Sequence, residues 1–180
     1  MKNDNFGSSL AREIYGMTEH PVRILSCFFA TPSKFWDVKA NTWRGWFERY
    51  FGKSARWTYA LPETFVKQMR EADVIYLHGG DNGLMFELLD QYPQLQTYFE
   101  GKIVIGSSAG ANYLSRHYWA RRKQRVINGR GIIPYSVIVH YGSAEDGIPD
   151  TDWAGVEQLL GTMPEDIIKL REGHFQVIGR

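Results

Sequence analysis

The sequence predicts an α/β protein of three layers, with a mostly parallel central sheet and helices on both faces. Three observations predict it. From residue 22 onward, short β-branched or aromatic runs alternate with stretches of helical apolar spacing. Glycine-rich turns follow two of those runs, at 79–83 and 106–110, the carboxyl strand ends where such sheets gather function. The apolar run Ile103-Val104-Ile105 leads directly through the second turn into a helix-like stretch, giving strand–turn–helix order.

Taken in order, residues 1–7 are polar and read as loose, and Ser9 suits the cap of a short helix over Leu10–Met17. Val22–Ala30 is an apolar strand ended by Thr31-Pro32-Ser33. A helix follows to about Tyr50, with Trp36, Trp43, Phe47 and Tyr50 at helical spacing, which fits packing against a sheet. Arg56–Ala60 reads as a second strand, Leu61-Pro62-Glu63 opens a helix to about Glu71, and Asp73–Leu77 is a third strand. Helices are expected over Leu84–Gln91 and near Leu95–Phe99. Beyond the 106–110 turn, the basic run Arg116–Arg125 reads as a solvated face. Gly129–Pro134 is a loop, Tyr135–His140 a strand, Glu145–Asp152 an acidic loop and Trp153–Leu160 a helix. Ile167–Leu170 and Phe175–Ile178 read as a closing pair of strands.

At 180 residues the chain is expected to form one domain, and 43% hydrophobic with 14% aromatic residues exclude disorder. A net charge of +1 gives no electrostatic case for nucleic acid or a membrane surface. No apolar run reaches the roughly 20 residues of a membrane span. The amino terminus lacks the apolar core of a signal peptide, so a cytoplasmic protein is expected. The single cysteine, Cys27, sits in an apolar strand and reads as a structural thiol.

Gly106-Ser107-Ser108-Ala109-Gly110 fits G-x-S-x-G, the turn that presents a nucleophilic serine. Small residues are needed there because the serine backbone is strained and the helix passes close to the strand. Free N–H groups at the helix start suit an oxyanion. The same pentapeptide also fits a phosphate-binding turn. A serine nucleophile needs a base and a group to orient it. His140 leads as base because it ends a strand, His174 is second, and His78 precedes the other glycine turn. No Asp or Glu lies between Ser108 and His140, which excludes the order Ser, acid, His with His140 as base. That order stays open for an esterase using His174 with Asp146, Asp150, Asp152, Glu165 or Asp166. For His140, Glu172 in the last turn is the natural acid, with Glu145, Asp146 or a backbone carbonyl behind it. The histidines are scattered, so neither metal nor cofactor is expected.

The segments IYLHGGDNGLMFELL (75–89), IGSSAGANYL (105–114), GIIPYSVIVHY (131–141) and KLREGHF (169–175) resemble the peptidase S51 family. That family holds dipeptidase E and cyanophycinase, on a class I glutamine-amidotransferase-like, flavodoxin-like fold. The resemblance runs over about 22–178 and implies Ser108 as nucleophile, His140 as base, and the backbone amides of Gly80 and Ala109 as oxyanion hole. His78, Gly79, Asp81, Asn82 and Asn112 are the substrate-binding candidates. The chain departs from dipeptidase E where that enzyme takes its triad aspartate, having Arg121-Arg122-Lys123 there. Glu172 instead matches the cyanophycinase glutamate. Ser143-Ala144-Glu145-Asp146-Gly147 stands in place of the stretch that reads aspartate in dipeptidase E, so aspartyl specificity is not implied. The tail strands of dipeptidase E are expected to be lacking. The implied activity is hydrolysis of a small peptide or amide bond by Ser, His and Glu through an acyl-enzyme, in a possible homodimer. A catalytically silent binding protein on the same fold is the alternative.

Overall fold

The computed structural model describes residues 4–19, 21–144, 151–161 and 166–179. Most of the expected acidic loop, with Glu145, Asp146 and Asp150, lies outside the described residues, as does Glu165. The chain divides into two compact units, Met1–Gly110 and Ala111–Arg180. The fold is α/β, as the alternation predicts.

The first unit holds a four-stranded, wholly parallel sheet of β1 (Val22–Cys27), β2 (Ala55–Tyr59), β3 (Val74–Leu77) and β4 (Ile103–Gly106), in the order β2-β1-β3-β4. Helices flank it: α1 (Asp4–Met17), α2 (Trp36–Phe51), α3 (Phe65–Glu71), α4 (Asn82–Leu89) and α5 (Leu95–Phe99). The central strands are apolar on both faces because helices cover both. Val22, Ile24, Leu25, Val74, Ile75 and Leu77 are all within 1% of full burial. The aromatic stripe on α2 packs inward, with Phe47 stacked on Trp57 of β2 at 5.7 Å and edge-on to Tyr76 of β3 at 6.4 Å. Cys27 is buried, and burial pushes its thiol pKa up, so it stays an unreactive packing group.

One expectation is corrected at the start of the chain. The helix begins at Asp4 rather than after Ser9, so most of the stretch expected to be loose is helical. Phe6 packs on Trp46 at 6.5 Å, and Gly7 lacks the side chain that would stand 2.6 Å from the Tyr50 ring. Contact with α2, not capping by Ser9, sets where this helix starts.

The second unit holds α6 (Ala109–Leu114, which begins just before the unit boundary), β5 (His117–Ala120), β6 (Arg125–Asn128), β7 (Ser136–Val139), α7 (Trp153–Leu159) and β8 (Ile167–Leu170). Its sheet has the order β6-β5-β7-β8, antiparallel at β5/β6 and parallel elsewhere. The basic run read as a solvated face is therefore a hairpin whose strand β5 buries Tyr118, Trp119 and Ala120. Arg121 donates from Nε to Thr151 Oγ1 at 3.2 Å and lies over the Trp153 ring. Trp119, Ile138, Val156, Leu160 and Ile167 form the core of this unit. Phe175–Ile178, expected as a strand, is not one: Gln176, Val177 and Ile178 are exposed, and no strand pairs with them among the described residues. No helix among the described residues is long and apolar enough to cross a membrane.

Candidate active site

At the end of β4 the chain turns sharply. The Ser107 amide donates to the Leu77 carbonyl at 3.0 Å, and the Gly110 amide donates to the Ser107 carbonyl at 2.9 Å. Between them Ser108 adopts φ 49°, a left-handed backbone that non-glycine residues avoid at a cost of order 1 kcal/mol or more. The small residues of the turn have a visible cause. A methyl group on Gly110 would stand 2.1 Å from the Leu77 carbonyl oxygen, so α6 can start this close to β3 only with glycine there.

The other glycine turn lies alongside, at the end of β3. A methyl group on Gly79 would meet the Ser108 Cβ at 2.9 Å and the Ser107 carbonyl oxygen at 3.3 Å. Gly80 has φ +148°, and a methyl there would fall 2.2 Å from the Ala30 carbonyl oxygen. Gly79, Gly80, Ser107, Ser108 and Ala109 are thus brought together at adjacent parallel strand ends. Ala109 is fully buried and Gly80 is exposed.

The remaining candidates from this stretch have structural partners. Asp81 caps α4, accepting from the Leu84 amide at 3.0 Å, while its own amide donates to the Ala30 carbonyl at 2.7 Å. Asn82 is the half-buried first residue of α4. Asn112 is buried on α6. His78 is 4% exposed and packs among core side chains. It stacks on Tyr76 at 4.0 Å, meets Trp43 edge-on at 4.3 Å, and bonds through Nε2 to the Ser26 hydroxyl at 3.0 Å. Burial, reinforced by the Lys39 charge, holds its pKa well below 6.5, so the ring is neutral.

In the second unit the ends of β7 and β8 carry a histidine and a carboxylate. The Tyr141 amide donates to the Leu170 carbonyl at 2.9 Å, tying the two strand ends together. His140 follows β7 with φ 56°, and its carbonyl accepts from the Ser143 amide at 3.1 Å. Gly173, at φ 72°, closes the turn that holds Glu172. The two side chains meet, His140 Nδ1 donating to Glu172 Oε1. An ionised carboxylate only accepts, so Nδ1 carries the proton and Nε2 is left as the basic nitrogen. The side chains are 40% and 66% exposed.

The rival histidine is placed differently. His174 is exposed, its Nδ1 3.0 Å from the main-chain carbonyl of Glu172, not from a carboxylate. Of the acids open to it, Asp152 caps α7 by accepting from the Gly155 amide at 3.1 Å, and Asp166 lies 3.8 Å from the Arg116 guanidinium. Sequence reasoning overlooked Tyr76 of β3, which is 3% exposed and stacks on the His78 ring at 4.0 Å. The available signal was a tyrosine in an otherwise apolar strand.

Comparison with known proteins follows the same lines. The model of Peptidase family S51 matches residues 58–176. No curated protein sequence matches the chain. Seven solved chains match. One is a protein from Listeria monocytogenes EGD-e assigned as a peptidase E, whose 1.5 Å crystal structure aligns with a TM-score of 0.58 at 14% identity. The alignment covers 89% of this chain and 84% of that one. At that identity the likeness is one of fold.

Proposed function

The chain belongs to peptidase family S51 and is thereby a serine-type peptidase, and we propose that it cleaves a small peptide or amide bond through an acyl-enzyme on Ser108. In this reading His140 Nε2 takes the proton as Ser108 Oγ attacks the scissile carbonyl. The oxyanion is met by the backbone amides of Gly80 and Ala109. His140 then gives its proton to the departing amine, and water, activated by the same nitrogen, releases the acid. Positioned acid–base help supplies roughly 10²–10⁴-fold, and each oxyanion donor about 10²–10³-fold.

One observation carries the reading: the hydrogen bond from His140 Nδ1 to Glu172 Oε1. It joins a histidine at one strand end to the acid 32 residues later, and it sets the tautomer a general base requires. Glu172 does what an aspartate does in other triads, from a different place in the chain. The left-handed backbone at Ser108 supports the same reading from the nucleophile's side.

A fluorophosphonate probe tests it. The wild-type protein is expected to be labelled at Ser108. Ser108→Ala is expected to abolish labelling, His140→Ala to suppress it, and His174→Ala to leave it. Full labelling of Ser108→Ala refutes the nucleophile. Loss with His174→Ala but not with His140→Ala transfers the role of base to His174. A folded wild-type protein that never labels is a silent member of the family.

A further inference from the structure

Tyr141 has no task in that reaction, yet it stands between two residues of left-handed backbone. His140 has φ 56° and Gly142 has φ 73°. The Ser143 amide closes this turn onto the His140 carbonyl at 3.1 Å. Glycine with positive φ at the third place is what a type II turn asks for. The second place, Tyr141, accepts most residues, so the tyrosine is explained by what it touches.

Most of those contacts reach the strand and turn that carry Glu172. The Tyr141 amide donates to the Leu170 carbonyl at 2.9 Å, just past the last paired residues, Val139 and Leu170. Its hydroxyl donates to Glu157 Oε1 of α7 at 3.1 Å, while Lys169 of β8 donates from Nζ to Glu157 Oε2 at 2.8 Å. One carboxylate thus holds the ends of both strands. The Lys169 bond, ahead of the smaller effect of Tyr141, lowers the Glu157 pKa, so the carboxylate stays charged. The half-buried Tyr141 ring lies 4.9 Å from Trp153, with Lys169 Nζ 5.5 Å and Arg171 Cζ 5.9 Å from its centre. Tyr141 directly follows His140, and Arg171 directly precedes Glu172.

We propose that Tyr141 is a positioning residue for the general base: bonded to Leu170 and Glu157 and seated by Arg171, it holds the His140 turn against the Glu172 turn so that Nδ1 and Oε1 meet. The inference rests on the reading of His140 as base and Glu172 as its acid. The two side chains are 40% and 66% exposed, so water competes for their bond and the bond alone does not fix their turns. The left-handed backbone at His140 costs of order 1 kcal/mol or more, which the contacts of the next residue offset. With the ring and hydroxyl gone, that turn relaxes, and misplacement of a reacting group by about 1 Å can cost 10²-fold.

The test compares wild type, Tyr141→Phe, Tyr141→Leu, Glu172→Gln and the pair Tyr141→Leu with Glu172→Gln. Labelling at increasing fluorophosphonate concentration gives kinact and KI for each, and a thermal midpoint accompanies them. Tyr141→Leu is expected to lower kinact ~10-fold with KI within about twofold of wild type, the signature of a misplaced base rather than weakened binding. Tyr141→Phe keeps the ring and loses the bond to Glu157, and is expected to lower kinact about threefold. In the Glu172→Gln background, where the pair is already broken, Tyr141→Leu is expected to cost less than about twofold more. A thermal midpoint that falls while kinact of the folded protein stays unchanged marks packing alone and overturns the proposal. So does a loss that recurs in full in the Glu172→Gln background. If Tyr141→Leu fails to fold, Tyr141→Phe decides, and an unchanged kinact overturns the proposal. A wild-type protein that never labels at Ser108, or labelling that His140→Ala leaves unchanged, overturns the underlying reading and this inference with it, a result distinct from the others.

Discussion

Gly79 lies so close to Ser108 that a methyl group on it would stand 2.9 Å from the serine Cβ, nearer than carbon atoms pack. The two residues follow neighbouring strands, β3 and β4. Gly79 therefore leaves empty the space a side chain would take from Ser108.

Gly79→Ala is expected to fold and to lose most fluorophosphonate labelling, because Ser108 is free to shift where a backbone carbonyl is not. Gly110→Ala is expected to lose stability first, by about 2 kcal/mol or more, since its methyl meets the Leu77 carbonyl oxygen at 2.1 Å. Urea unfolding and labelling, measured on both, separate the two effects. Equal stability for the two variants would show that the turn yields at Gly110 as easily as at Gly79.

Glu172→Gln keeps the shape of the acid and removes its charge. The amide can donate to Nδ1, which frees Nε2 to carry the proton and, in the proposed mechanism, takes away its power to act as base. In other triads such a change costs ~10⁴ in kcat; here, with Glu172 66% exposed, about 10²–10³ is expected. A kcat within threefold of wild type would rule out direct orientation by Glu172.

His78 makes stability depend on pH. Its folded-state pKa is held well below 6.5 by burial, so below that pH the unfolded chain binds a proton that the folded chain refuses. Its contribution is complete above about pH 6.5 and falls as the pH drops toward the depressed value, by at most ~1.4 kcal/mol per pH unit. Urea midpoints at pH 7.5, 6.5 and 5.5 should fall for wild type more than for His78→Phe. Parallel lines would contradict the burial of an ionisable ring.

Asp73 gives a smaller effect of the same sign. Arg23 bonds both its oxygens, at 2.5 and 3.0 Å, and lowers the carboxyl pKa. The stability this adds is present above the ordinary value of 3.8 and lost as the pH falls through the lowered one. Because the pair is partly exposed and screened, Asp73→Asn is expected to cost about 1 kcal/mol or less at pH 7 and less than that near pH 2. Thermal midpoints at the two pH values, with and without salt, check it.

The first unit was largely legible in the sequence, because β3 and β4 are short runs dominated by apolar and aromatic residues and β1 is interrupted only by Arg23 and Ser26. The hairpin of β5 and β6 was not. Its strands are four residues each, and the basic residues Arg121, Arg122 and Lys123 at its turn mask the run Tyr118-Trp119-Ala120 that it buries. The helix start at Asp4 depends on Trp46 and Tyr50, more than forty residues away, which no local pattern reveals. At the site, Ser108 was marked by its flanking glycines. The left-handed backbone at His140 had no such mark, since no glycine occupies that position. The surroundings of His78 had no local mark either: Tyr76, Trp43 and Ser26, which enclose its ring, come from three different elements.

The strand order β2-β1-β3-β4 governs how quickly the first unit can form. Every pairing in it is parallel, so β1 meets β2 only after residues 28–54 have crossed over, and β3 only after residues 28–73 are in place. A two-residue turn cannot make such contacts, and the loop-closure entropy falls due before any ladder bond forms. The hairpin of the second unit closes around residues 121–124 and can assemble within microseconds. The first unit, among its described residues, offers no comparable local start, so its rate is set by distant segments finding one another. A serine carried at the end of β4 is presented only when that slow search is complete.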